Sequence, residues 1–212
     1  MDARSRGWNA RAGRARFTLP LDVELLGRHV DTDARILDFG CGYGRVSAQL
    51  VEEGFSRVMG LDASPAMLAR ARRTVPEVPV AVSDGVPLPC ADGSVDSVLL
   101  FAVLTCIPDD HDQQALCAEL SRVLAPRGVL YACDFLLHAD DRNIDRYRRD
   151  HARFGTYGVF ELEDGAVLRH HDPAWIRELL ASFETLAFDS FPATSMRGNP
   201  TSGFRFLGRK PA

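Results

Sequence analysis

Ile36-Leu37-Asp38-Phe39-Gly40-Cys41-Gly42-Tyr43-Gly44-Arg45 runs from an apolar stretch straight into glycines at alternate positions. Residues 34–39 read as a short buried strand, and the helical pattern that follows at 46–53 stops at Gly54. A strand that enters a helix through such a turn is a ligand-binding geometry. Without a Cβ the backbone turns sharply and passes close to a bulky group. The helix then presents free N–H groups and its positive dipole end to an anion. Two ligands suit the turn: a dinucleotide pyrophosphate and the carboxylate of an amino acid. A dinucleotide fingerprint, G-x-G-x-x-G, would set its third glycine where Arg45 stands. Asp38, two residues before the first glycine, is poor company for a pyrophosphate.

Outward from this turn the pattern alternates. Residues 19–30 carry the spacing of an amphipathic helix. Residues 57–61 form a second strand ending on Asp62, and Ser64 caps a helix over 65–74 with Pro65 at its first position. Strands follow at 78–82 and 95–103, then a helix at 112–124 and a fifth strand at 129–135. Short loops between alternating strands and helices predict an α/β, doubly wound parallel sheet. The last third differs. An Arg-rich helix is expected over 140–154, a hairpin at 157–162 and 167–170, a helix capped by Asp172, and two antiparallel strands at 185–191 and 204–208. The expected whole is a seven-stranded sheet of five parallel strands plus a C-terminal antiparallel pair.

At 212 residues the chain suits one domain, placed at 17–212, with 1–16 as a flexible Arg-rich tail. A net charge of −4 argues against a protein that coats nucleic acid. No run of about eighteen apolar residues is present, so no membrane span is expected. The five cysteines, Cys41, Cys90, Cys106, Cys117 and Cys133, form no metal-ligand spacing. They read as reduced core residues of a cytoplasmic protein, and no metal is expected. Lys210 is the only lysine, so each arginine carries less functional weight than usual.

The turn resembles motif I of the class I S-adenosylmethionine-dependent methyltransferases, whose core is D-x-G-x-G-x-G. Three further landmarks arrive in that family's order: Asp62 at the end of strand two, Asp84-Gly85-Val86 after strand three, and Ser121 to Leu130 before strand five, where Arg127 replaces the first of two usual glycines. The resemblance spans roughly residues 21–135 and is nearest the ubiquinone-biosynthesis-like, or type 11, members, which act mostly on small molecules. It implies a Rossmann-like core and S-adenosylmethionine as methyl donor, with S-adenosylhomocysteine as product. It assigns Asp38, Gly40, Gly42, Gly44 and Arg45 to the methionine end and Asp62 to the ribose. Asp84, Gly85 and Val86 go to the adenine, with Ala63 and Met67 on the adenine faces, and Phe101 to the sulfur region. The basic N-terminal segment is expected to lie over the adenosine pocket.

The methyl acceptor is expected to be a small molecule methylated on oxygen or nitrogen. Strand four ends as Phe101-Ala102-Val103-Leu104-Thr105-Cys106, unlike the [DNS]-P-P-[YFW] tetrad used on the amino groups of bases or on glutamine amides, which counts against nucleic acid. A methyltransferase acting on tRNA or protein, or a non-methylating binder of the same cofactor, stays open as an alternative. A monomer and a homodimer are equally compatible. Candidate bases are His138, three residues past strand five, and His111. Asp134, Arg142, Arg146, Tyr157 and His171 are the candidate substrate-binding residues. Strand alternation sends His170 and His171 opposite ways, so at most one faces a pocket. The run 142–153 reads as a solvated face or as a surface for an anionic substrate. Residues 138–172 form a helix-plus-hairpin insertion, expected to cap the acceptor pocket.

Overall fold

The computed structural model describes residues 3–83 and 85–212. Apolar residues at every second position divide the central strands between two layers. In β1 (Arg35–Phe39), Leu37 and Phe39 enter one layer and Ile36 the other. After β2 (Arg57–Asp62) and β3 (Val80–Val82), β4 (Val95–Phe101) splits the same way, Val98 and Leu100 against Leu99 and Phe101. β5 (Leu124–Leu136) sends Leu130 and Ala132 to the first layer and Val129, Tyr131 and Cys133 to the second.

A hairpin, β6 (Val159–Glu161) with β7 (Val167–Arg169), stands apart from the main sheet. The chain returns to that sheet through β8 (Glu184–Thr194) and β9 (Pro200–Arg209). The order is β3-β2-β1-β4-β5-β9-β8, with β9 antiparallel to both neighbours and the first five strands parallel. This is the α/β, seven-stranded, Rossmann-like architecture expected from the sequence. The order reverses between β1 and β4, so a crevice opens at their carboxyl ends.

Helices begin where the short polar side chains stand. Ser64 accepts from Met67 N to start α4 (Pro65–Thr74), and Asp172 accepts from Ala174 N to start α7 (Pro173–Leu179). Between them come α5 (Asp110–Val123), capped by Asp109, and α6 (Asp141–Phe154), capped by Asp140. The glycine turn leads into α3 (Arg45–Glu52). Two expectations are corrected. The helix expected over 19–30 is only α2 (Val23–Gly27), because Asp22 accepts from Leu25 N and sets the start there. Residues 3–11, expected within a flexible tail, form α1 (Ala3–Arg11), which packs against α4. Strand four stops at Phe101 because Ala102 takes a positive φ of 54°, and a 3-10 turn over Leu104–Cys106 follows.

A buried polar knot joins β5, α5 and α7. His171 Nδ1 donates to Phe135 O at 3.0 Å, which leaves Nε2 to accept from Gln113 Nε2 at 2.9 Å. Gln113 Oε1 accepts from Trp175 Nε1 at 2.7 Å, and Gln113 Nε2 also lies 2.6 Å from Ile107 O. His171, a candidate substrate ligand in the sequence, is wholly buried here, and burial pushes its pKa down to about 3. His171→Ala should lower the unfolding free energy at pH 7.5 by about 2–4 kcal/mol, since it strands Gln113 and opens a cavity. Urea titration would show this as a lower midpoint with an unchanged slope. The deficit should shrink at pH 5. There the unfolded chain takes up a proton that the folded wild type refuses, so the wild type has itself lost stability.

Candidate active site

The turn after β1 uses all three glycines in left-handed backbone: φ is 74° at Gly40, 55° at Gly42 and 80° at Gly44. Each is also hemmed in by the protein. A Cβ would overlap Val103 at Gly40, the Phe17 ring at Gly42 and Val75 at Gly44. The first turn is tied to the end of β2, because Gly42 N donates to Asp62 Oδ2 and Ser64 N to Asp62 Oδ1, both at 2.8 Å. Burial still pushes the Asp62 pKa upward against those two bonds.

Asp38, one residue before the end of β1, is buried. Ser47 Oγ donates to its Oδ2 at 2.6 Å. Burial raises its pKa to about 6, although the Ser47 bond and the Arg45 charge pull the other way. Arg45 donates to Leu19 O at 2.6 Å and to Gln49 Oε1 at 3.1 Å. Its buried Nε has no partner.

These groups face a cavity of about 780 Å³ at the carboxyl ends of β1 and β4, a usual size for a small-molecule site. Asp38, Gly40, Arg45 and Asp62 line one end of it. Ala63, Met67, Gly85, Val86 and Phe101 line it too. Gly42 and Gly44 shape the turn but do not reach the wall, and Asp84 lies outside the described residues. The N-terminal segment closes this end. Trp8 and Phe17 line the cavity, Phe17 stacks on Tyr43 at 5.0 Å, and the Arg70 guanidinium covers the same Tyr43 ring at 3.8 Å. Asn9 Oδ1 accepts from Ser64 Oγ and Ala66 N, fixing α1 to the start of α4.

The other end is built by α6 and the β6–β7 hairpin. Arg142, Asp145, Arg146 and Arg149, spaced three and four residues apart, all line the cavity from one face of α6. The other face sends Asn143, Tyr147 and Asp150 inward. Phe160, Leu162, Leu168 and His170 complete this wall. The insertion is itself rooted in the core, for Thr105 Oγ1 donates to Arg169 O and Leu136 pairs with His171.

Several candidates from the sequence lie elsewhere. Asp134 is buried on the opposite face of β5 from Phe135, where it accepts from Thr105 N at 3.0 Å and Phe135 N at 2.7 Å. Burial raises its pKa to about 7. His138 does not line the cavity: its Nδ1 sits 2.8 Å from Ser202 Oγ on β9. His111 is exposed on the first turn of α5 beside Asp109 and Asp112. Tyr157 is exposed and packs edge-on against Tyr147 and His151. His171 sits in the knot described above. His170, the other member of the expected pair, is the histidine on the cavity wall among the described residues. The alternation of the two rings was the signal for one of them, without saying which.

Comparisons with known proteins agree with this geometry. The family model described as a methyltransferase domain matches residues 37–132, a little under half of the chain. A trans-aconitate 2-methyltransferase of Variovorax paradoxus is 39% identical over 110 residues, covering 50% of this chain and 41% of that one. A demethylmenaquinone methyltransferase of Beutenbergia cavernae is 33% identical over 125 residues, covering 55% and 50%. The chain thus spans about half the length of the curated relatives it matches. Among solved structures, a SAM-dependent methyltransferase from Methanosarcina mazei superposes with a TM-score of 0.83, at 24% identity, over 88% of this chain and 97% of that one.

Binding of an amino-acid ammonium at Asp38 requires the ionised carboxylate. Affinity for S-adenosylhomocysteine should therefore rise from about pH 5 and level off above the Asp38 pKa of about 6. Asp38→Asn should flatten that rise and weaken binding about tenfold or more, as losing a charge-assisted hydrogen bond does. Calorimetry across pH checks both, and an unaltered profile in the variant would remove Asp38 from the site.

Proposed function

We propose that the chain is a class I S-adenosylmethionine-dependent methyltransferase that transfers a methyl group to an oxygen or nitrogen atom of a small-molecule acceptor, a reading supported by the methyltransferase-domain match and the methyltransferases to which it is similar. The observation that carries this is the shape of the cavity. It runs from Asp38 and Asp62 to α6 and the hairpin and is roofed at one end by Trp8 and Phe17. A half-open cavity of about 780 Å³, with Asp38 and Asp62 at one end and α6 at the other, has the size of a site for small ligands.

The residues at the donor end fit S-adenosylmethionine. Asp38 is a buried carboxylate that desolvation raises to about 6 despite the Arg45 charge, and an ammonium beside it would favour its ionised form. Asp62 stands at the end of β2 for the ribose hydroxyls. Ala63, Met67 and Val86 offer the apolar flanks an adenine needs. When bound, the cofactor supplies an electrophilic methyl carbon on a sulfonium. The protein's contribution is alignment and exclusion of water, worth on the order of 7–11 kcal/mol for a well-oriented pair. Phe101, Val103 and Phe135 keep the middle of the cavity apolar, which favours a step that neutralises charge. A base is needed only for an acceptor that arrives protonated. His138 and His111, the candidate bases of the sequence, stand off the wall.

Radiolabelled S-adenosylmethionine offered with separate small-metabolite, RNA and protein fractions tests the reading. Label should enter the small-metabolite fraction, and Asp62→Ala should reduce it by about tenfold or more through weaker cofactor binding. Label confined to RNA or protein would replace the proposed acceptor class.

A further inference from the structure

The acceptor end of the cavity holds a cation with no carboxylate at ion-pair distance among the described residues. Arg142, Arg149 and Arg197 each have a carboxylate partner: Asp140 at 3.7 Å, Asp150 at 2.8 Å, and Asp164 at 3.8 Å. Arg146 has none at ion-pair distance among the described residues. Its guanidinium carbon lies 3.5 Å from the centroid of the Phe160 ring, and its buried Nε has no hydrogen-bond partner. Nη2 is 3.5 Å from His170 Nε2, a long contact. A guanidinium does not shed its proton under ordinary conditions, so a desolvated one is stabilised chiefly by an anion.

His170 cannot supply that charge. Its Nδ1 is 2.6 Å from the Tyr147 hydroxyl, which in turn donates to Asn143 Oδ1 at 3.4 Å. Whichever ring nitrogen carries the hydrogen, the neutral imidazole brings no negative charge to Arg146. Burial first, and the Arg146 charge second, hold the ring neutral. Phe135 stacks on it at 5.7 Å. The result is a guanidinium over the Phe160 ring with the neutral imidazole of His170 beside it, on the wall of the cavity.

We propose that Arg146 binds the carboxylate of the methyl acceptor, and that this acceptor is a monoanionic carboxylic acid with an apolar body. The inference rests on the methyl-transfer reading and names its acceptor class. A planar fork matches a carboxylate in shape. One unneutralised cation calls for one negative charge. Asp145, Glu161 and Glu163 on the same wall oppose a dianion such as a phosphate monoester. Phe135, Phe160, Leu162 and Leu168 supply the apolar surface against which the rest of the acid would lie.

The test is calorimetry on the intact protein loaded with S-adenosylhomocysteine, using trans-cinnamate, hexanoate, their primary amides, and phenyl phosphate. The carboxylates should bind at least about tenfold more tightly than their amides and more tightly than phenyl phosphate. Arg146→Met, which keeps an apolar stem over Phe160, should erase the preference of acid over amide while S-adenosylhomocysteine binds as in the wild type. Arg146→Lys should retain part of it. Equal binding of acid and amide by the wild type, with S-adenosylhomocysteine bound, would overturn this proposal and leave the methyl-transfer reading standing. Tighter binding of phenyl phosphate would overturn it in favour of a phosphorylated acceptor. No binding of S-adenosylhomocysteine at all would overturn both readings.

Discussion

The bond from Gly42 N to Asp62 Oδ2 holds the ligand end of this protein together. It joins the turn after β1 to the end of β2, and the second oxygen of the same carboxylate takes Ser64 N at the start of α4. One half-buried side chain thereby fixes two helix entrances side by side. The left-handed glycines follow from it, since the turn can bring its N–H groups back over β2 only with positive φ. Phe17, Val103 and Val75 then fill the spaces that Cβ atoms would have taken. The glycines are thus required by the chain's own packing before any ligand arrives. That shifts the meaning of the motif from an open cradle to a packed hinge between strand and helix.

Asp38 and Arg146, desolvated groups of opposite sign, mark the two ends of the cavity, with Arg45 also desolvated near Asp38. Asp38 at one end is a carboxylate that burial drives toward protonation. Arg146 at the other is a guanidinium whose pKa burial pushes down, without a carboxylate at ion-pair distance among the described residues. Each costs stability in the empty protein and each would be relieved by a ligand of the complementary charge. Such costs are characteristic of sites, since a chain selected for stability alone would have paired or removed them. The apolar middle, with Phe101 and Phe135, keeps the two fields from being screened by water.

Most of the scaffold was legible in the sequence because its signals are local. Strand alternation, the caps at Ser64 and Asp172, and the glycine turn all act within a few residues. The misreadings came where a distant partner decides. Residues 1–16 read as a tail because their arginines hide two anchors, Asn9, which bonds to the start of α4, and Trp8, which packs edge-on against Phe17. His138 follows β5 closely in sequence, yet its ring is captured by Ser202 on β9. Asp134 was readable and was misjudged. Leu130, Ala132 and Leu136 share its face of β5, so alternation already pointed it away from the side on which Phe135 reaches the cavity.

Arg146 shows how a residue of low prior value acquires meaning from its neighbours. In a chain with a single lysine, an arginine on a polar helix signifies little. Its spacing from Arg142 and Arg149 placed all three on one face, which the sequence could state. It could not state which of the three would find an acid. Arg149 lies beside Asp150 in the chain and is neutralised by it, and Arg142 reaches back to the cap of its own helix at Asp140. Arg146, between them, lies over Phe160 of the hairpin, with no carboxylate at ion-pair distance among the described residues. The hairpin thus leaves this arginine desolvated and without a counter-ion. Since β7 also carries the chain to His170 on the wall and His171 in the core, one short strand pairing both shapes the acceptor end and anchors it to the fold.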